Sequence, residues 1–198
     1  MPRVFRATYF LALSLCAVFA AACGDPFVVN APFATASDSF AVTAVTGTPA
    51  SVRALWRIGS FARFRLDSIG GSFDLGFDID AAGRAIVYPA RTIAFAPASA
   101  LGTQPQVGLQ TTTQAFTAID RAPLDGYRVD TALTVSKGQA VFVRTASDVC
   151  SLQQTGGTLL YTKFVVDSID TATRQLFIRA TIQPSCNFRS FATGVPTF

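Results

Sequence analysis

Phe73-Asp74-Leu75-Gly76-Phe77-Asp78-Ile79-Asp80 alternates apolar and non-apolar residues without a break. A strict period of two marks a β-strand with one face toward a core. The next three residues, Ala81-Ala82-Gly83, suit a hairpin loop with Gly83 in the left-handed position, so that Asp80 faces Arg84 and Phe77 faces Val87. Pro89 then ends the ladder or marks an edge. Upstream, Gly70-Gly71 suits a two-residue turn because both positions tolerate positive φ. That turn would set Phe64 opposite Phe77 and Leu66 opposite Leu75 on the core face, with Arg63 opposite Asp78 on the outer face.

Around this segment, short runs of β-branched and aromatic residues lie between Gly, Pro and Asp turns at the spacing of an all-β protein. Strands are expected near 40 to 46, 107 to 118, 127 to 135, 139 to 144, 158 to 167 and 174 to 182, the last two forming a hairpin that turns near Asp170-Thr171-Ala172-Thr173. Residues 52 to 58 read as a strand with Val52, Ala54, Trp56 and Ile58 inward, or residues 49 to 58 as a short helix capped by Thr48-Pro49 with Val52, Leu55 and Trp56 on one face. Residues 96 to 106 read as a surface loop. The expected fold is all-β, an antiparallel β-sandwich, with a small closed β-barrel as the alternative.

Composition narrows the chemistry. Of 198 residues, half are hydrophobic, enough for one domain with a real core. There is no histidine, and twelve aspartates account for the whole acidic total, so there is no glutamate. A Ser-His-Asp triad, a Cys-His pair, an H-E-x-x-H zinc site and a Glu-based glycosidase pair are thereby excluded. No G-x-S-x-G, S-x-x-K or Walker-type phosphate loop occurs. No cofactor is expected.

The N-terminus has the layout of a secretory signal peptide. Arg3 and Arg6 precede sixteen uncharged residues, Ala7 to Ala22, a run too short for a comfortable membrane span of about 20 residues. It closes on Ala20-Ala21-Ala22-Cys23, which resembles the lipobox of bacterial lipoprotein precursors, with Ala20 where that family prefers Leu. The resemblance covers residues 1 to 23 only. It implies removal of residues 1 to 22, a diacylglycerol on the Cys23 sulfur and an acylated new N-terminus, hence a stable membrane anchor in the bacterial cell envelope. Residues 23 to 38 then serve as lipidated terminus and tether, with a flexible reach of roughly 20 Å, and residues 39 to 198 form a single β-rich domain. An ordinary signal-peptidase cut that leaves Cys23 a thiol is the alternative.

Cys16 lies in the discarded segment, so the mature domain keeps Cys150 and Cys186. Two cysteines in an exported domain are expected to pair, the alternative being two free thiols. Loss of Arg3 and Arg6 lowers the formal charge of +4 by two, which is not a nucleic-acid-binding balance. Only Lys137 and Lys163 are lysines among sixteen basic residues.

Few constellations suggest a site. Asp78-x-Asp80-x-x-Gly83 resembles the opening of a calcium loop, yet Ala82 and Pro89 stand where ligands belong, so no metal is expected. The same two aspartates could be an acid/base pair, or could be solvated or paired with Arg63 and Arg84. Arg53, Arg57, Arg63 and Arg65 would project from the outer face as a basic patch for anionic lipid or an acidic polymer, or as a solvated face balanced by Asp67, Asp74 and Asp78. Eighteen phenylalanines are compatible with plain core or with a lipocalin-like pocket. A terminal Phe198 and about 176 mature residues also fit an outer-membrane barrel, but Pro196, Gly194, Ala192 and Ser190 do not form a lipid-facing row. The leading expectation is a non-catalytic structural, assembly or ligand-binding module at a membrane surface, with an envelope protein or polymer as partner. An apolar-ligand carrier or an Asp/Ser-based hydrolase is the alternative.

Overall fold

The computed structural model describes residues 30 to 68, 72 to 93, 104 to 153 and 158 to 195. Cys23 and the stretch that resembles a lipobox lie outside them, as do Gly70, Gly71 and most of the 96 to 106 stretch. Eleven strands are described: β1 (Ala36–Thr43), β2 (Arg53–Arg57), β3 (Ala62–Arg65), β4 (Leu75–Ile79), β5 (Ala85–Pro89), β6 (Val107–Thr112), β7 (Arg128–Val129), β8 (Leu133–Val135), β9 (Ala140–Ala146), β10 (Leu159–Asp170) and β11 (Gln175–Gln183). They form two antiparallel sheets, one in the order β1-β11-β10-β9-β6-β7 and the other in the order β3-β2-β4-β5-β8. Each sheet has two distinct edge strands, so the fold is a sandwich and not a closed barrel. Among the described residues no helix is long and apolar enough to cross a membrane.

The space between the sheets is filled by aromatic rings. Trp56 sits with its centroid 5.0 Å from Phe40, 6.2 Å from Phe164 and 6.5 Å from Phe77. Leu75, Phe77 and Ile79 of β4 enter this core, as the alternation requires, and Phe164, Val166, Ile178 and Ile182 enter it from β10 and β11. Of residues 52 to 58, Arg53–Arg57 form strand β2, which delivers Trp56 to the same core, and Ile58 enters it from the start of the following turn. Ala54 turns to the other side with Leu55, because the pairing of β2 with β3 slips by one residue there.

The hairpin after β4 has the expected register. Phe77 pairs with Val87, the Asp80 N–H donates to the Arg84 carbonyl, and Gly83 has φ +74°. The hairpin before it does not form. β3 folds back onto β2 through the turn Ile58–Ser60 and Phe61, whose φ is +51°, and β4 takes the other edge of β2. Phe64 therefore faces Leu55, and Arg63 faces Trp56 instead of Asp78. The turn rests on a left-handed Phe, a residue that gives no turn signal in sequence.

Both outer faces are covered. On the five-stranded sheet Phe73, Leu55 and Ile93 form a second apolar cluster. Gly76 belongs to this cover: a Cβ there would lie 2.5 Å from Ile93 Cδ1. On the six-stranded sheet Ile119, Phe142, Tyr161 and Phe191 form a third. Part of the stretch expected as a tether also packs on the domain, since Ala31 is buried, the Phe33 N–H donates to Ser185 Oγ, and residues 36 to 38 belong to β1. Gln104, at the end of the expected surface loop, is buried and accepts the Phe73 N–H. Cys150 and Cys186 form a disulfide with Cα atoms 5.6 Å apart, joining the turn after β9 to the segment after β11.

Candidate functional site

The two aspartates of the β4 hairpin have separate structural duties. Asp80 accepts the N–H groups of Ala82 and Arg84 and the Arg84 Nε–H, which holds its carboxyl below the ordinary range. Asp78 is on the outer face, as the alternation requires, but is only 4% exposed, contrary to a solvated position. Its oxygens accept from the Thr46 hydroxyl, from its neighbour's Ile79 N–H and from Arg174 Nη2 at 2.7 Å. Arg174 also donates to the Thr46 and Ile79 carbonyls. Thr46 and Arg174 come from far along the chain, so the alternation could not reveal them. Among the described residues no group of three acidic or cysteine side chains could hold a metal ion.

The four arginines do not make one patch. Arg53 lies across from Arg65, which pairs with Asp67. Arg63 sits over the Phe40 ring and 3.8 Å from Asp38, while Arg57 lines a cleft of about 370 Å³ beside Asp74. Asp74 is itself buried and engaged, accepting from the Ile58 N–H and the Thr145 hydroxyl at 2.6 and 2.5 Å.

The arrangement with unused hydrogen-bonding capacity lies on the outer face of the six-stranded sheet. Cross-strand register aligns Ser37 of β1, Thr181 of β11, Lys163 of β10 and Phe142 of β9 in one row. Alternation along β10 sends Phe164 and Val166 into the core, so Lys163 must point outward. There it meets two covering segments, residues 113 to 122 and 187 to 194. These are tied together by the Phe191 N–H to the Asp120 carbonyl, the Ala122 N–H to the Arg189 carbonyl and the Arg121–Ser190 bridge. The disulfide, together with Gln153 bonding both Pro184 and Cys186, fixes the start of the second segment.

Lys163 is 6% exposed. Its Nζ donates to the carbonyls of Phe116 at 2.9 Å and Ile119 at 2.7 Å, and lies 4.6 and 5.4 Å from the ring centroids of Phe116 and Phe191. An ammonium has three N–H donors. Two are held by those carbonyls, and the third has no protein acceptor among the described residues. Burial pulls the Lys163 pKa below the ordinary lysine value, Asp120 pushes it up, and Arg179 lowers it further.

Around Lys163 lies a cleft of about 630 Å³. Ser37, Thr181 and Lys163 supply its floor, Phe116 and Phe191 its apolar walls, and exposed Asp120 its acidic rim. Ser37 Oγ and Thr181 Oγ1 are 3.0 Å apart and share one hydrogen bond, which leaves one hydroxyl hydrogen for another acceptor. Beyond Phe116, the Arg179 guanidinium stacks 5.0 Å from the ring and pairs with Asp167. The arrangement offers a desolvated positive donor, a hydroxyl donor and two ring faces, a set suited to holding an oxyanion attached to an apolar body.

By composition Lys163 stands out only as one of two lysines. A stronger signal was present: it is the sole charge in Leu159-Leu160-Tyr161-Thr162-Lys163-Phe164-Val165-Val166. A lone lysine in a strand is ordinarily a solvated outer residue, and the covering segments that bury it are remote in sequence. In comparisons with protein families, characterised proteins and solved structures, no match to this chain is found.

Proposed function

We propose that this chain is an envelope lipoprotein whose β-sandwich is a non-catalytic ligand-binding module, with the Lys163 cleft as its binding site. The observation that carries the reading is a buried ammonium with one unused donor, set beneath two phenylalanine rings in an open cleft. A buried charge is normally paired with an opposite charge, whereas the Lys163 ammonium touches only neutral carbonyls and aromatic rings among the described residues. Binding is favoured over hydrolysis because Asp78 and Asp80 are occupied by the protein's own donors and the Ser37 hydroxyl bonds Thr181 instead of a base. It is favoured over an interior carrier because Trp56, Phe40, Phe77 and Phe164 fill the space between the sheets.

The anchor follows from the lipobox at Ala20 to Cys23. Intact mass of the protein from a membrane fraction tests it: a lipid-sized increment that disappears in Cys23→Ser supports the anchor, and the mass of an unmodified chain cut near Ala22 refutes it. The binding site is tested by titrating the mature protein in detergent with 3-phenylpropionate and following amide resonances. Saturable shifts at residues 116 to 120, 163 and 191 to 194 support it. Absence of saturable shifts there refutes it.

A further inference from the structure

We infer that the cleft takes a zwitterionic ligand of amino-acid type with an apolar or aromatic side chain, its carboxylate on Lys163 and its amine on Asp120. This deepens the binding reading above and rests on it. Asp120 lines the same cleft and is exposed; its backbone carbonyl accepts the Phe191 N–H, but its carboxylate has no hydrogen bond or ion pair among the described residues, while its field reaches the Lys163 ammonium. The cleft thus presents one unneutralised charge of each sign. A simple anion would be drawn to Lys163 and repelled by Asp120, and a simple cation would meet the reverse. A ligand carrying both charges, on two groups attached to one carbon, satisfies both, which a free amino acid does.

The remaining groups fit that choice. The free hydrogen of the Ser37–Thr181 hydroxyl pair can serve the second carboxylate oxygen. Half-buried Phe116 and buried Phe191 line the cleft with apolar surface for the side chain. Arg179, the other cation near Phe116, is paired with Asp167 at 3.0 Å and does not compete for the carboxylate.

Calorimetry on the mature protein in detergent, with L-phenylalanine, 3-phenylpropionate and phenethylamine as probes, decides the question. L-Phenylalanine is expected to bind at least about tenfold tighter than either partial analogue, since each lacks one charge-assisted contact. Asp120→Asn, at an exposed position that does not threaten folding, should erase that preference: L-phenylalanine affinity falls, while 3-phenylpropionate, freed from the carboxylate's repulsion, binds at least as tightly as to wild type. If 3-phenylpropionate binds as tightly as L-phenylalanine, or if Asp120→Asn leaves the preference intact, the zwitterion inference is overturned while the cleft stands as a binding site. If no probe binds, both are overturned.

Discussion

Each sheet of this sandwich buries a charged side chain on its outer face, Asp78 on one and Lys163 on the other, and the two environments differ. Asp78 is surrounded by donors from its own protein: the Thr46 hydroxyl, the Ile79 N–H and Arg174. Lys163 has two carbonyls for three donors and opens on a cleft with an unpaired carboxylate at its rim. Burial of a charge is therefore not by itself a functional signal. Unused hydrogen-bonding capacity beside open space is the stronger one.

The largest effect that would sharpen this contrast comes from the disulfide. Replacing Cys150 and Cys186 by Ser frees a closed loop with a sequence separation of 36. It should cost about 3 to 4 kcal/mol on the chain-entropy account, read by denaturant unfolding. Because the bond fixes the segment bearing Phe191, the variant should also lose 3-phenylpropionate affinity, with the Asp78–Arg174 side of the molecule unaffected.

Next is Asp78→Asn, which leaves the half-buried Arg174 without its ion pair and should cost about 3 kcal/mol. Ligand affinity should not change. An equally large stability loss in Lys163→Met would break the comparison. That variant is expected to cost only about 1 to 2 kcal/mol, from the orphaned Phe116 and Ile119 carbonyls, while abolishing binding.

The pH profile separates the two faces further. An anion needs Lys163 protonated, and burial, helped by Arg179 and opposed by Asp120, sets its pKa below the ordinary 10.5. Affinity for 3-phenylpropionate, ionised throughout, should fall as pH rises toward that value, starting below the range of an exposed lysine. Affinity that stays flat up to an exposed lysine's range contradicts the account. The smallest effect belongs to Arg63→Ala, whose partly exposed contact with Asp38 at 3.8 Å should be worth no more than about 0.5 kcal/mol in unfolding.

What was legible in sequence was local. The β4–β5 hairpin, the turn at Asp170 to Thr173 and the strand around Trp56 follow from alternation and turn chemistry within a dozen residues. The disulfide was legible from the cysteine count and the expectation of export. The β2–β3 pairing was hidden because Phe61, not the nearby Gly59, takes the left-handed position of the turn. Asp74 and Asp78 were misplaced in solvent because Thr145, Thr46 and Arg174, which bury them, are long-range partners. The Lys163 cleft was hidden for the same reason, since it needs β1, β10, β11 and two loops at once.

The most direct test compares 3-phenylpropionate titrations of wild type, Lys163→Met and Asp78→Asn by amide chemical shift. The account predicts saturable shifts at residues 116 to 120 and 191 to 194 in wild type and Asp78→Asn, and none in Lys163→Met. Equal shifts in Lys163→Met, or their equal loss in both variants, would contradict it.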